Sequence, residues 1–332
     1  MKQIAIIGAG SWGTALAVVA ARAGHAVRLW SRNADVVRSI NDERRNSRYL
    51  IDTDIPATVN ATDDFGTALR DVSMVIFAAP SHAARALFTT MSPLLNEAAV
   101  VVSVSKGIEI ESGRRISEIA KETIGSAPQF VCLSGPSFAK EVVAGYPTAI
   151  VAASKDIAAA RTVQNDLSFE NLRIYTNTDV IGTEIGGSVK NVMAIAAGMA
   201  TSLGFGANSV AALITRGLAE ITRLARREGA QVETLMGLAG LGDLVLTCTG
   251  QLSRNRFVGE ELGRGKTLAQ ISAELNEVAE GINTARAVKK LADRAGLEMP
   301  ITNEVNAVLY DGKSAHDAVA ELMSRPLREE IH

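Results

Sequence analysis

A lysine held among apolar residues can give and take a proton near neutrality, and Lys190 has that setting in the sequence. It is the one basic residue of 181–201, IGTEIGGSVKNVMAIAAGMAT, a stretch that is otherwise almost entirely small or apolar. Steps of four and three from Thr183 place Gly187, Lys190, Ala194, Ala197 and Thr201 on one helix face, with Asn191 beside the lysine. Gly182, Gly186, Gly187 and Gly198 each cost roughly 1 kcal/mol of helix propensity against alanine. Close approach by another helix or a ligand is the expected reason. The plain alternative is a lysine that snorkels from a buried helix to water.

Other groups suit anions. Gly8-x-Gly10-x-x-Gly13 has the spacing of a dinucleotide fingerprint: a tight turn, a close approach to pyrophosphate, and helix–strand packing. Ser11 and Trp12 lie inside that loop. Where an acidic residue would bind a ribose 2′-hydroxyl, the chain has Ser31, Arg32 and Asn33. NADPH should therefore be accepted, with NADH still allowed. His82 follows Ala78-Ala79-Pro80-Ser81, which is expected to end a strand and open a helix through a serine cap. Lys106 follows another strand and precedes Gly107, so it should face the same crevice as a source of positive charge. SGPSFAKE, 134–141, reads as a backbone-donor turn for an anion or carbonyl, or as helix capping by Ser134 or Ser137. Asp243 follows glycines and by itself reads most simply as an N-cap. Ser253-Arg254-Asn255-Arg256 places an arginine fork at a helix start, as a phosphate monoester requires.

These groups need strands and helices to position them. Apolar strands are expected at 3–7, 26–30, 74–79, 99–104, 130–133, 148–153 and 173–175. Helical patterns are expected at 14–23, 34–41, 81–90, 113–124 and 157–167. Alternation of that kind predicts an α/β, Rossmann-type doubly wound parallel sheet whose loops of interest lie at the strands' carboxyl ends. After Asp179 only helical patterns continue, at 208–228, 255–262, 267–275, 283–295, 301–309 and 316–323. Two domains follow: 1–179 for the dinucleotide, and 180–332, all-helical, for substrate and catalysis.

The 332 residues suffice for two cores, and a formal charge of −2 without blocks of like charge gives no support to nucleic-acid or membrane-surface binding. Cys132 and Cys248 stand far apart, with no metal-ligand spacing, as expected of thiols in a reducing cytosol. No metal site is expected. No signal peptide is read, and the one long apolar run, 181–201, is interrupted by Glu184 and Lys190. The expectation is a soluble cytoplasmic protein.

Taken in order, GAGSWGTALA, SKG, SGPSFAKE, GGSVKNVMAIAAG, ALITRGLAE, GLAGLGDLVLTCTG and SRNR closely resemble the bacterial NAD(P)+-dependent glycerol-3-phosphate dehydrogenase family. The resemblance runs from Ile4 to about Val308. It implies reduction of dihydroxyacetone phosphate to sn-glycerol 3-phosphate for glycerophospholipid synthesis. It also implies a helical domain like that of 6-phosphogluconate dehydrogenase, and a homodimer. Lys190 would be the proton donor and acceptor. Lys106, Gly135, Ser137, Lys190, Asp243, Ser253, Arg254 and Asn255 would contact substrate. Ser11, Trp12, Arg32, Tyr49, Lys106, Ala139, Arg254, Val278 and Glu280 would join the fingerprint glycines around NADPH or NADH. A related hydroxy-acid reductase and a non-catalytic dinucleotide sensor are the alternatives.

Overall fold

The computed structural model describes residues 1–126, 128–274, 279–327 and 329–330. One eight-stranded sheet holds the first half, in the order β3-β2-β1-β4-β5-β6-β7-β8. The strands are β1 (Gln3–Ile7), β2 (Ala26–Trp30), β3 (Val59–Thr62), β4 (Met74–Phe77), β5 (Val100–Ser103), β6 (Gln129–Ser134), β7 (Thr148–Ala153) and β8 (Leu172–Asn177). β1, β4 and β5 are almost continuous runs of Ile, Val, Ala, Met and Phe, because helices cover both faces and leave them nearly no exposed surface. Parallel pairing from β3 through β6 sends the carboxyl ends of six strands to one edge.

The expectation of an all-parallel sheet needs correction at β7. It pairs antiparallel with β6, and β8 then runs parallel to β7. The only helix between β6 and β7 is Ala139–Val143, five residues long. That is too short to recross the sheet as a parallel return requires, so the chain re-enters from the same end. β3 and the helix Phe65–Leu69 were not expected either. β3 is an edge strand with only two buried residues, and so carries little apolar signal. The first helix begins earlier than expected, at Ser11. The pattern at 34–41 divides into Ala34–Arg38 and a π turn, Ser39–Glu43.

Among the described residues helices alone follow β8, led by Val180–Ser202, Ala207–Arg227, Arg254–Gly263 and Glu280–Ala295. Val180–Ser202 is buried along nearly its whole length and forms the axis of a second apolar core. Asp179 fixes its start: one carboxylate oxygen accepts from the Gly182 N–H (2.8 Å), the other from the Gln231 N–H (2.9 Å). The glycines of this helix are explained by neighbours. A Cβ at Gly186 would lie 2.7 Å from the Ala239 carbonyl oxygen, and one at Gly187 would lie 2.6 Å from Ser134 Oγ. One at Gly198 would strike the Arg256 carbonyl, and Gly259 meets Ile195 in the same way, so two helices touch backbone to backbone there.

Among the described residues the stretch long and apolar enough to cross a membrane is Val232–Thr249, with a mean hydropathy of 1.3, and not 181–201. It is folded as three short pieces, Val232–Leu235, Leu238–Gly242 and Asp243–Thr249, each carrying buried side chains. No group of metal-ligating side chains is found among the described residues.

Candidate active site

The carboxyl ends of β1, β2, β4, β5 and β6 open into one cleft of about 550 Å³, which the helical half closes with Lys190, Asn191, Asp243, Thr247 and 252–255. Gly8 makes the turn after β1 at φ +117°, where a Cβ would lie 2.9 Å from the Ala78 backbone. Gly13 lets strand and helix pack, since a Cβ there would strike the Gly8 carbonyl. Gly10 is different: a Cβ on it meets nothing within 4 Å, so its backbone faces the open cleft. The helix Ser11–Arg22 begins there with no side-chain cap and no acidic residue in its first turn. The N–H groups of Trp12 and Gly13 and the positive dipole end therefore suit an anion. These residues fit the pyrophosphate of a dinucleotide.

Ser11, Trp12, Arg32 and Tyr49 all line the cleft. Ser31 and Asn33 line it too but are engaged locally. Ser31 Oγ accepts from the Asn33 N–H (3.2 Å), and Asn33 Oδ1 accepts from the N–H groups of Asp35 (2.9 Å) and Val36 (3.3 Å). Glu280 reaches the cleft from the start of Glu280–Ala295, and its Oε1 accepts from the Ser81 N–H at 2.7 Å. Burial raises the Glu280 carboxyl above its usual value, against the pull of that bond and of Arg254. Ser81 is thus held by Glu280 and is not the serine cap expected; Pro80 occupies the cap position. Ala139 opens the helix after Phe138 and is not among the residues that line the cleft. Val278 lies outside the described residues.

The polar centre of the cleft is a carboxylate between two lysines. Lys190 is 6% exposed and donates to Asp243 Oδ1 and, at 2.8 Å, to Thr247 Oγ1. Lys106 donates to Asp243 Oδ2 at 2.7 Å and to the Gly135 carbonyl at 3.2 Å. Asp243 itself is 1% exposed. It is the first residue of Asp243–Thr249 and performs no capping, so the N-cap reading gives way to a charge-bridging one. Lys190 does not snorkel, because its ammonium is tied inside the fold. Desolvation brings the Lys190 ammonium down to about 7; Asp243 opposes the descent and Lys106 adds to it.

Around this centre the expected contacts have distinct surroundings. Ser137 Oγ donates to the Gly135 carbonyl (3.1 Å), so neither Ser134 nor Ser137 caps the next helix. Gly135 adopts φ +142°, where a Cβ would lie 2.8 Å from Ile150 Cα. Ser253 caps Arg254–Gly263 by accepting from the Arg256 N–H (3.2 Å), and Arg254 is that helix's first residue. Asn255 accepts from the Gly281 N–H (2.9 Å) and donates to Asn191 (3.0 Å), which in turn donates to the Lys106 carbonyl (3.3 Å). Residues from both halves are joined in one network. Thr247 escaped the sequence reading, although it follows Asp243 by four positions, one helical turn, and shares its face. Asn46 and Arg48 also escaped it, in a loop without periodicity.

Comparison with known proteins decides the family. Models of the N-terminus and of the C-terminus of NAD-dependent glycerol-3-phosphate dehydrogenase match residues 3–160 and 179–320. The chain belongs to this family. It is 53% identical to the glycerol-3-phosphate dehydrogenase (NAD(P)+) of Koribacter versatilis, covering 100% of this chain and 99% of that protein. The protein of the same description from Citrifermentans bemidjiense is 48% identical, over 99% of each chain. The crystal structure of glycerol-3-phosphate dehydrogenase from Coxiella burnetii superposes with a TM-score of 0.94 at 41% identity, covering 98% of this chain and 99% of that one. The dehydrogenase family therefore accounts for both halves of the cleft.

Proposed function

We propose that the chain is an sn-glycerol-3-phosphate dehydrogenase that reduces dihydroxyacetone phosphate with NADPH or NADH and supplies glycerophospholipid synthesis. The observation that carries the mechanism is the buried Lys190–Asp243–Lys106 bridge at the meeting of a dinucleotide-type cleft and an arginine-bearing helix start.

The nicotinamide supplies a hydride when bound. The protein's part is to deliver a proton and to hold charge. As C2 of the ketone is reduced, its carbonyl oxygen gains a negative charge and takes a proton from the Lys190 ammonium, leaving a neutral amine. In oxidation the neutral amine takes the hydroxyl proton back. An ammonium near 7 serves both directions. Lys106 adds positive charge beside the developing oxyanion, and Asp243 orients both amines. Arg254, Ser253 and the leading N–H groups of Arg254–Gly263 receive the substrate phosphate. Gly135, Ser137 and Asn255 complete the substrate side of the site, while Ala139 and Glu280 contact the cofactor. The first domain spans 1–179 and the second 180–332, so hydride and proton come from opposite sides and the cleft must close on its substrates. The working unit is a cytoplasmic homodimer, which sedimentation would test.

The test follows nicotinamide absorbance with dihydroxyacetone phosphate, using NADPH and NADH in parallel. Turnover supports the proposal. Cofactor binding without turnover would favour the sensor or another substrate.

A further inference from the structure

Two arginines, Arg32 and Arg48, line the cleft and take no part in the bridge around Lys190. We propose that Arg48 is a second specificity-determining cation and that, with Arg32, it grips the 2′-phosphate of NADPH. This rests on the dinucleotide reading above and goes further by assigning a residue to cofactor choice.

Arg48 sits in the connection between the π turn Ser39–Glu43 and β3, a connection held rigidly from below. Asn46, 0% exposed, donates from Nδ2 to the Ala9 carbonyl and to Thr14 Oγ1, both at 2.9 Å. Its Oδ1 accepts from the Arg48 N–H at 3.2 Å and the Tyr49 N–H at 3.0 Å. Ser39 Oγ donates to the Arg45 carbonyl (2.6 Å) and accepts from the Ser47 N–H (3.1 Å). The turn is therefore fastened to the fingerprint loop itself. On its other side that loop touches the end of β2, where the Gly8 N–H donates to the Trp30 carbonyl at 3.0 Å. Arg32, two residues after Trp30, and Arg48, two residues after Asn46, are thus both carried on backbone tied to the same loop, and both line the cleft.

Their charges are uncommitted, unlike those of the neighbouring arginines. Arg38 pairs with Asp35, Arg45 with Asp54 at 3.0 Å, and Arg44 donates to the Val59 carbonyl at 2.7 Å. Among the described residues no carboxylate pairs with Arg32 or Arg48. The Arg48 guanidinium rests 5.5 Å from the centre of the Tyr49 ring, a cation–π contact that leaves its N–H fork free. A phosphate monoester, with close to two negative charges and three acceptor oxygens, supplies the counter-charge that both guanidinium groups lack. A ribose 2′-hydroxyl offers one neutral acceptor oxygen and no charge, so the pair favours NADPH over NADH.

The test is calorimetric binding of 2′,5′-ADP, 5′-AMP, NADPH and NADH to the wild-type protein and to Arg32→Ala, Arg48→Ala and Arg48→Lys. Both arginines are exposed at the cleft edge, so the variants should fold. The expected result is that Arg48→Ala weakens NADPH and 2′,5′-ADP by about 10- to 100-fold, the size of a charge-assisted hydrogen bond, while NADH and 5′-AMP change by less than about twofold. Arg48→Lys should recover part of the loss, because it restores the charge without the fork. Equal weakening of both dinucleotides, or no weakening of NADPH, overturns the assignment of Arg48. Equal wild-type affinity for NADPH and NADH overturns it too, while leaving the dehydrogenase intact. Failure of the wild-type protein to bind either dinucleotide overturns the dehydrogenase reading itself.

Discussion

Asp243→Asn removes one charge and almost no volume from a site that is 1% exposed. The two ammonium groups it separates are bonded to its two oxygens, one of them at 2.7 Å. Without the carboxylate they face each other across a single amide, in a setting where burial already holds Lys190 near 7. A unit charge about 4 Å away contributes roughly 4 kcal/mol at an effective dielectric constant of 20, or about three pKa units. The Lys190 ammonium should therefore titrate well below neutrality in the variant. In the proposed mechanism reduction draws its proton from this ammonium, so its high-pH limb should move down by about one to three pH units, the lower end allowing for relaxation and water entry. At a pH just above neutrality this lowers the rate of reduction by about 10- to 1000-fold. The assay is the pH profile of kcat/KM for dihydroxyacetone phosphate, with thermal unfolding of the variant as a folding control. A variant whose limb stays near neutrality would refute the claim that Asp243 sets the Lys190 proton affinity.

In the wild-type enzyme, reduction should hold a plateau below about 7 and fall tenfold per pH unit above it, while oxidation of sn-glycerol 3-phosphate rises through the same value; profiles of both directions check the mirror relation. Stability should carry the same signature. The folded-state value of Lys190 lies at about 7 against 10.5 for an ordinary lysine, so the unfolded chain binds more protons between these values and stability rises with pH across that window. Urea unfolding at successive pH values should show this slope reduced in Lys190→Met; an identical slope in both proteins would contradict it. Gly259→Ala, whose Cβ would lie 2.8 Å from the Ile195 carbonyl carbon and 3.0 Å from Gly198 Cα, should destabilise by about 1–3 kcal/mol or more by forcing two helices apart. The shift in the urea midpoint measures it.

The parts of this protein legible in the sequence are those whose signal is local. The fingerprint needs three glycines within six positions, next to an apolar strand. Lys190 stands out against a helix of small residues, and the change from alternating elements to helices alone shows where strand character ends. What stayed hidden depends on distance along the chain. Asp243 reads locally as a cap, because its partners Lys190 and Lys106 lie 53 and 137 positions away. Asn46 looks like an ordinary loop residue, yet it locks a turn onto Ala9, 37 positions earlier. β7 has the same apolar composition as the parallel strands, and only the brevity of the helix Ala139–Val143 dictates its reversed direction. β3 was missed because an edge strand buries too little to impose a pattern.

The most direct measurement is turnover by Lys190→Ala alongside its affinity for NADPH. Loss of the proposed proton donor should lower kcat for dihydroxyacetone phosphate by about 100- to 10,000-fold and leave NADPH affinity within about twofold. Turnover at the wild-type level in this variant would contradict the assignment of the proton to Lys190.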